Sequence, residues 1–524
     1  MSAGMNDETD ALVRDLQRGA AEMRTTHASW VFIAGDDVWK VKRPVDLGFL
    51  DFSTPDARRH WCDEEVRLNR RLAPEVYLGV EPVRRDAGGH CIGGDGTVVD
   101  WAVHMRRLPD EAAASSLLAR GALDADALAS LADVMATFLE AAPVRSELGS
   151  LDVLGANVAE NFAQVEPFVG DLVDPGTFAE VRAFQTGELE RHADVFRARV
   201  AARRIREGHG DLRLEHVYFL RQPTVIDCIE FNERFRCGDV ASEVAFLAME
   251  LEAARRPDLA AGFVARFAEA SNDFHLYGVL DFYLSYRAWV RGKVAAFVAG
   301  DAAARTAVRR DKRQEAARNF ALARSFAGRA LDPPVVIAVG GLIGSGKSTL
   351  AAGLGRHLAA PVVSSDRVRK ALAGLAPTDR GSAALYEPAA VDRVYSQLMA
   401  DAATVVDSGR SVILDATFST GRWRDAAAQV ARDRGARFAL VEARCADRGI
   451  LRARLASRRH AASVSDATDE QLASLEHSFE PFAAAGGAAH VAIDTARAPD
   501  AAVAMALAAL RPIGVVAAAD RCVS

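Results

Sequence analysis

The sequence predicts two folds in one chain, an α+β region over residues 1–330 and an α/β domain over residues 331–524. After residue 334, short apolar strands alternate with longer helices, which is typical of a doubly wound parallel sheet with helices on both faces. Before residue 330, a few strands come first and a long helical stretch follows. The breaker Asp332-Pro333-Pro334 separates the two patterns.

The bulk composition is that of a globular protein and narrows the function classes. The 524 residues are 50% hydrophobic and 26% charged, with a net charge of −7. The chain therefore lacks the overall excess of basic residues that would indicate nucleic-acid binding. The six cysteines include no C-x-x-C pair, which predicts neither a zinc site nor a disulfide framework. The N-terminus lacks an apolar signal region, and no apolar run reaches the roughly 20 residues that span a bilayer. We therefore expect a cytoplasmic protein without a membrane partner.

The N-terminal region begins with strands and continues with helices. Apolar runs and a Gly-Asp-Asp turn predict a hairpin, and amphipathic spacing predicts a helix after it. The predicted elements are the hairpin Trp30–Ala34 and Val38–Lys42, a helix over 55–72, strands over 76–83 and 98–106, mostly helix over 111–200, a loop and hairpin over 208–229, and helices to 329. A small β-rich lobe before a large helical lobe is the layout of a protein kinase.

The C-terminal domain alternates strand and helix throughout. Its predicted strands are Val335–Val339, Pro361–Ser364, Ser411–Leu414, Arg437–Val441 and His490–Ile493. Its predicted helices lie over residues 349–358, 391–408, 422–434 and 450–459.

The most specific motif lies between the first predicted strand and helix of this domain. Residues 341–348 read Gly-Leu-Ile-Gly-Ser-Gly-Lys-Ser, a G-x-x-x-x-G-K-[ST] phosphate-binding loop in its strand–loop–helix context. The glycines let backbone N–H groups turn toward phosphate oxygens at a helix N-terminus. ATP and Mg²⁺ are the expected ligands, and the predicted binding residues are Gly341, Gly344, Ser345, Gly346, Lys347, Ser348 and Thr349. Lys347 would reach the β- and γ-phosphates, and Ser348 would hold Mg²⁺; the alternative is a glycine-rich turn without a ligand.

Two acidic residues follow predicted strands at the edge where ligands bind in open sheets. Asp366 comes after the strand that ends at Ser364, where it could accept the proton of an attacking hydroxyl. Asp415 ends an apolar strand, where it could orient Mg²⁺ or its water. The alternative for Asp366 is a helix N-cap without a catalytic role.

An arginine-rich helix near residue 455 predicts a phosphate lid. Arg452, Arg454, Arg458 and Arg459 lead into a polar loop over residues 460–466. Such a segment could fold over bound phosphates and stabilise charge on the transferred group. The alternative is a solvated basic helix face.

These segments together resemble the small P-loop kinases, which include gluconate kinase, the zeta toxins and the polynucleotide 5′-kinases. The segments are GLIGSGKST, SSDRVRK, LDATF and RLASRRHAASVSDA, and the resemblance covers residues 335 to about 512. It implies that Asp366 is the general base, that Asp415 helps to order the metal shell, and that Arg454 and Arg458 are lid cations.

A second phosphotransfer motif lies in the N-terminal region. Gly208-His209-Gly210-Asp211-Leu212 precedes Ile226-Asp227-Cys228-Ile229-Glu230, with the spacing of a kinase catalytic loop and a hairpin that returns a second acid to the same cleft. In kinase chemistry Asp211 would accept the hydroxyl proton and Asp227 would bind Mg²⁺. The H-G-D form resembles the aminoglycoside phosphotransferase family.

The predicted strand Val38–Lys42 carries the lysine that a kinase uses to hold phosphates. Lys40 and Lys42 share one face of this strand, so the sequence leaves both candidates open, with Lys40 favoured. Glu65 in the following helix would pair with it. The alternatives are a solvated lysine and an ordinary amphipathic-helix glutamate.

The full chain resembles bacterial two-domain proteins in which an aminoglycoside phosphotransferase-like domain is fused to a P-loop ATP-binding kinase domain. The strings that carry this resemblance are WVFI…WKVKRPVDLGFLDFST (30–54) and DCIEFNERFR (227–236). Two features depart from kinases: His216 stands where a metal-binding Asn is expected, and the turn at 25–29, expected before the first strand, has no G-x-G-x-x-G. Because Mg²⁺ prefers oxygen ligands, metal binding would fall on Asp227, with Glu230 or Asn232 as helpers.

The favoured hypothesis is an ATP-dependent kinase that phosphorylates a hydroxyl of a small molecule, with its chemistry best supported in the C-terminal domain. One alternative is an ATP-regulated binding or signalling protein with a pseudokinase N-terminal domain. Another is a nucleic-acid 5′-hydroxyl kinase, which is less favoured because no basic–aromatic platform is visible. The sequence identifies neither the acceptor nor the oligomeric state.

Overall fold

A computed structural model of the chain describes residues 3–26, 28–46, 48, 50–302, 304–459, 469–482 and 489–518. The chain packs into two compact units. The first comprises Met1–Val134, Phe138–Ser150 and Val200–Leu247, and the second comprises Met135–Thr137, Leu151–Arg199 and Ala248–Ser524. The second unit thus includes helices from both sides of residue 330, so the domain boundary that we place there stays a prediction from sequence.

A six-stranded antiparallel sheet with the order β1-β2-β3-β6-β4-β5 dominates the first part of the chain. Its elements are α1 (Ala3–Gly19), β1 (Glu22–Thr25), β2 (Ser29–Ala34), β3 (Asp37–Lys42), α2 (Pro55–Asn69), β4 (Tyr77–Asp86), β5 (Gly89–Ile92) and β6 (Thr97–Arg106), followed by α3 (Ala114–Ala119) and α4 (Ala125–Ala141). The predicted hairpin is confirmed as β2 and β3, which turn at Gly35 with a φ of 61°. Such a positive φ suits glycine in a tight hairpin turn.

Helix α1 and strands β1 and β5 were not predicted from the sequence. Strand β1 is short and mostly exposed, so it lacks the apolar alternation that predicts a strand. The turn near residues 25–29, which was expected before the first strand, therefore lies between β1 and β2, which pair as an antiparallel hairpin.

The middle of the chain is mostly helical, as predicted. Its elements are α5 (Leu151–Val165), α6 (Pro175–Arg191), α7 (Ala193–Ala201), β7 (Ile205–Glu207), β8 (Val217–Phe219), β9 (Pro223–Val225), α8 (Glu233–Arg236), β10 (Cys237–Asp239), α9 (Val240–Ala253), α10 (Pro257–Ser271), α11 (Leu280–Gly300) and α12 (Thr306–Ala327). Strands β8 and β9 form the short hairpin expected within residues 208–229.

The C-terminal part is a doubly wound α/β fold. Its elements are β11 (Val335–Gly340), α13 (Lys347–Leu358), β12 (Val362–Ser364), α14 (Ser365–Leu372), α15 (Pro388–Asp407), β13 (Val412–Asp415), α16 (Gly421–Asp433), β14 (Arg437–Arg444), α17 (Arg448–Arg459), α18 (Asp469–Ser478), β15 (Ala489–Asp494) and α19 (Pro499–Leu510). The strands are parallel in the order β12-β13-β11-β14-β15. Every residue of β11 is buried, because helices cover both faces of the sheet. The predicted fold class is confirmed for both parts of the chain.

Helix α15 contains a buried carboxylate that lowers the stability of the folded state when it is ionised. The side chain of Asp401 is 4% exposed and accepts a hydrogen bond from Gln397 Nε2 at 2.9 Å. Burial raises its pKa from 3.8 to about 6. The folded state therefore holds this proton more tightly than the unfolded state, and the associated stability is lost as the pH rises through 6.

We expect Asp401→Asn to be more stable than the wild type at about pH 8, by roughly 1–3 kcal/mol. The gain should shrink as the pH falls below 6 and approach zero only below about pH 3.8, where the carboxyl is protonated in both the folded and the unfolded state. Urea unfolding at the two pH values measures the difference. A pH-independent effect would contradict the burial argument.

Candidate functional sites

The glycine-rich loop adopts a geometry that only glycine permits at several positions. Gly341, Gly344 and Gly346 have φ values of 146°, 79° and 86°, and a Cβ on Gly341 would lie 2.5 Å from the carbonyl oxygen of Ala443. Helix α13 begins at Lys347, directly after this loop. Its unpaired N–H groups and positive dipole end are therefore available for an anion.

Two side chains from distant segments hold the loop. The hydroxyl of Thr495 lies against the carbonyl oxygens of Ser345 and Arg444. Arg454 donates from Nη1 to the carbonyl of Gly344 at 3.4 Å and from Nη2 to that of Thr495 at 2.5 Å. A cavity of about 240 Å³ opens here, lined by Gly346, Thr349, Leu350, Arg454, Ser457, Thr495, Arg497, Pro499 and Ala502. Arg454 thus lies against the loop, and its role as a lid cation stays a prediction.

Asp415 ends β13 beside the start of α13. Desolvation raises its pKa, while the charge of Lys347 and hydrogen bonds with Ser348 and Ser364 act in the opposite direction. Its Oδ1 is buried and has no hydrogen-bond partner. A buried carboxylate oxygen next to a serine hydroxyl is an oxygen donor set of the kind that Mg²⁺ prefers, so these residues fit the expected metal.

Asp366 lies in the first turn of α14, immediately after the edge strand β12. The helix begins at Ser365, so Asp366 is inside it and does not act as the N-cap that the sequence left open. Its carboxylate pairs with Arg369, and the guanidinium of Arg369 lies 4.7 Å from the ring centre of Tyr386. Asp366 is also close enough to contribute to the raised pKa of Asp415. The two predicted acids therefore share one edge of the sheet.

The structure describes only part of the predicted lid. Helix α17 includes Arg452, Arg454, Arg458 and Arg459, but the side chains of Arg458 and Arg459 lie outside the described residues, as does the loop at 460–468. The role of Arg458 stays a prediction.

The N-terminal candidate site contains a network of buried charges. Lys40 Nζ lies 2.6 Å from Asp227 Oδ1 and 2.9 Å from Glu65 Oε1. Lys42 Nζ lies 2.7 Å from the other oxygen of Glu65 and also contacts Glu230. Lys42 is fully buried, whereas Lys40 is 16% exposed. Of the two lysines, Lys40 is the one that contacts Asp227. Nucleotide binding by Lys40 and Glu65 stays a prediction.

Asp227 has an uncommon backbone conformation that its surroundings support. Its φ is 65°, and its N–H donates to the hydroxyl of Tyr77 at 3.0 Å. Desolvation would raise the pKa of the Asp227 carboxyl, but Lys40 and His216 outweigh it and hold the pKa below its ordinary value. The side chain stays ionised and is 44% exposed, as a metal-binding carboxylate would need.

The loop that carries Asp211 is ordered by two histidines. His209 donates from Nε2 to the carbonyl of Ile226 at 2.9 Å, and its Nδ1 accepts the N–H of Asp211 at 3.3 Å. Burial lowers the pKa of His209 to about 3, so the ring stays neutral. His216 Nδ1 donates to the carbonyl of Asp211 at 2.8 Å, and its Nε2 lies 3.6 Å from Asp227 Oδ2. His216 thus lies between the two acids. It does not supply the metal-binding oxygen that the expected asparagine would have supplied.

Sequence reasoning missed two residues that organise this site, Glu243 and Tyr77, and gave a third, Glu230, a different role. The carboxylate of Glu243 accepts the N–H groups of His209 at 3.1 Å and Gly210 at 2.9 Å. Tyr77 contacts Asp227 as described, and Glu230 pairs with Lys42, where the sequence suggested a metal helper. A glutamate in the apolar stretch Val240–Ala253 was the signal that could have revealed Glu243.

The chain is similar to several known proteins. Residues 336–482 match the family described as AAA domain. The uncharacterized protein Rv2004c of Mycobacterium tuberculosis strain H37Rv is 32% identical over 471 residues, which cover 87% of this chain and 89% of the relative. An aminoglycoside phosphotransferase-like protein of Ralstonia eutropha JMP134 aligns with 62% of this chain and 99% of its own at 11% identity and a TM-score of 0.37. A gluconokinase of Sinorhizobium meliloti 1021 aligns with 35% of this chain and 95% of its own at 19% identity and a TM-score of 0.26.

The fold and the sites define a chain in which a six-stranded antiparallel sheet and a helical region precede a doubly wound parallel sheet that carries a phosphate loop, and residues 336–482 of the latter match an AAA domain. The chain belongs to the family of the mycobacterial protein Rv2004c, with which it shares nearly its full length. No helix among the described residues is both long and apolar enough to cross a membrane.

Proposed function

We propose that the C-terminal domain transfers the γ-phosphate of ATP to a hydroxyl group of a small-molecule acceptor. The observation that carries this proposal is the convergence of a phosphate loop and two acids at one edge of the parallel sheet. Lys347 and Ser348 begin α13, Asp415 ends β13, and Asp366 follows β12. Phosphoryl transfer requires positioning and charge stabilisation from such groups.

Each residue has a role that its position supports. The loop N–H groups and Lys347 bind the phosphates, and Arg454 lies beside the loop to stabilise charge on the transferred group. Asp366 accepts the hydroxyl proton of the acceptor. Ser348 and Asp415 would hold Mg²⁺, which when bound neutralises charge on the phosphates. The carboxylate of Asp366 is 26% exposed while it pairs with Arg369.

Asp366→Asn and Asp415→Asn test this proposal in the full chain. Each substitution keeps the size of the side chain and removes its charge, so we expect phosphoryl transfer to fall by about 10²–10⁴-fold for Asp366→Asn and by a similar factor for Asp415→Asn. The measurement is ATP consumption with a panel of polyols, sugar acids, amino sugars and nucleosides. Asp425→Asn, on helix α16, serves as the matched control. Unchanged turnover in both site variants on every acceptor would refute the proposal.

A second phosphotransfer site in the N-terminal domain is the next candidate. It is supported by the contact of Lys40 with both Glu65 and Asp227 and by the ordered loop at Asp211. Asp211→Asn should then lower turnover on an acceptor that Asp366→Asn does not affect. ATP binding without any turnover that depends on Asp211 would instead favour the pseudokinase alternative.

The salt dependence of oligonucleotide binding tests the alternative of a nucleic-acid 5′-kinase. Contacts with phosphates of a nucleic acid give a steep loss of affinity as salt rises, so oligonucleotide binding at two salt concentrations separates this function from small-molecule phosphorylation.

A further inference from the structure

Helix α10 caps the exposed edge of the C-terminal sheet. Strand β12 lies at the end of the strand order, so its outward-facing backbone groups have no neighbouring strand. The N–H of Val362 donates instead to Glu269 Oε1 at 2.8 Å. Glu269 lies in the last turns of α10, in the part of the chain that precedes the P-loop domain. Val362 is partly buried, and this contact supplies its N–H with the hydrogen-bond partner that a neighbouring strand would otherwise provide.

A second contact joins the same glutamate to the helix of the proposed general base. Arg367 Nη1 donates to the backbone carbonyl of Glu269 at 3.1 Å, and such carbonyls near a helix C-terminus lack an intrahelical partner. Arg367 is the residue directly after Asp366. Glu269 therefore holds the chain on both sides of Asp366, at Val362 before it and at Arg367 after it.

The carboxylate of Glu269 is itself fixed in place. Arg266 Nη1 lies 3.4 Å from Glu269 Oε2, one turn earlier on α10. Burial raises the pKa of Glu269, while the N–H of Val362 and the guanidinium of Arg266 favour its charged form. Two contacts hold the mostly buried carboxylate and a third holds the backbone carbonyl of the same residue. Glu269 is therefore a rigid support, since moving it would leave polar groups unpaired.

We infer that Glu269 is a positioning residue for Asp366, through β12 and the first turn of α14. This inference rests on the proposed function of the C-terminal domain. It means that the helical segment before residue 330 contributes to phosphoryl transfer in the P-loop domain. The phosphate loop follows a different strand, β11, in the middle of the sheet, so ATP binding does not depend on Glu269.

The test compares Glu269→Ala and Glu269→Gln with the wild type, using ATP and the acceptor of the panel that gives the highest turnover. Misplacement of a reacting group by about 1 Å can cost about 10²-fold, so we expect Glu269→Ala to lower kcat by roughly 10–100-fold with the KM for ATP unchanged. Glu269→Gln keeps an oxygen that accepts the Val362 N–H and should recover most of kcat. Glu180→Ala, at an exposed carboxylate on α6 paired with Arg324, is the matched control.

An Asp366→Asn background separates positioning from a general structural effect. If Glu269 acts through Asp366, Glu269→Ala should cause little further loss of kcat in that background. An equal loss in both backgrounds, or a kcat like that of Glu180→Ala, would overturn the inference. Should Glu269→Ala fail to fold by circular dichroism, Arg367→Met replaces it, with the same expected dependence on Asp366. If Asp366→Asn and Asp415→Asn leave turnover unchanged, the proposed function itself has failed.

Discussion

Replacing Lys347 with alanine should lower ATP turnover by about 10²–10³-fold, the effect of removing one charged group that stabilises a transition state. Lys347 is the first residue of α13, directly after the left-handed Gly346, where a cation would face the phosphates of a bound nucleotide. Its charge also acts on the buried carboxyl of Asp415. Loss of the lysine should therefore weaken nucleotide binding and raise the pKa of Asp415 further.

Steady-state turnover and calorimetric titration with ATP measure these effects in the full chain. Arg356→Ala is the matched control, since Arg356 is an exposed cation on the same helix, and circular dichroism verifies that both variants are folded. Wild-type turnover in Lys347→Ala would contradict the assignment of catalysis to the C-terminal domain. If only Asp211→Ala then lowered turnover, the N-terminal site would be the catalytic one.

Replacing Lys42 with methionine should destabilise the first unit by about 3–5 kcal/mol, the usual cost of removing one partner from a buried ion pair. Lys42 is fully buried between Glu65 and Glu230 and lies 4.7 Å from the ring centre of Phe52. Without Lys42, the two buried carboxylates would lose a positive charge that offsets their mutual repulsion. Lys40→Met should cost less stability, because Lys40 and Asp227 are 16% and 44% exposed, and solvent screens their interaction.

The two lysine variants therefore distinguish a structural role from a phosphate-binding role. Urea unfolding and amide hydrogen exchange in β3 and α2 measure stability, and titration with ATP in a Lys347→Ala background measures nucleotide binding by the N-terminal site. We expect Lys42→Met to lose protection from exchange, and Lys40→Met to lose ATP binding while it remains folded. A stable Lys42→Met with an unfolded Lys40→Met would reverse these assignments.

Most of the fold and many site residues of this protein are encoded in local sequence patterns. Apolar runs, amphipathic spacing and breakers predicted all five parallel strands of the C-terminal domain and the first hairpin, because each pattern reflects burial on one or both faces of a single element. Strand β1 was not predicted because it is short and mostly exposed. The phosphate loop, Asp366 and Asp415 were predictable because parallel strands bring their carboxyl ends to one edge of the sheet.

The sequence by itself determined which chemical groups this chain carries and at which element ends they stand. Only the tertiary structure decided which of these groups meet. Lys40 and Lys42 are equivalent in a strand of period two, and only the packing of Glu65, Asp227 and Glu230 around them makes one buried and the other accessible. Likewise, Thr495 and Ser345 are 150 residues apart, and Glu269 and Val362 are 93 residues apart. Their contacts depend on how distant elements pack, and no local periodicity encodes that packing.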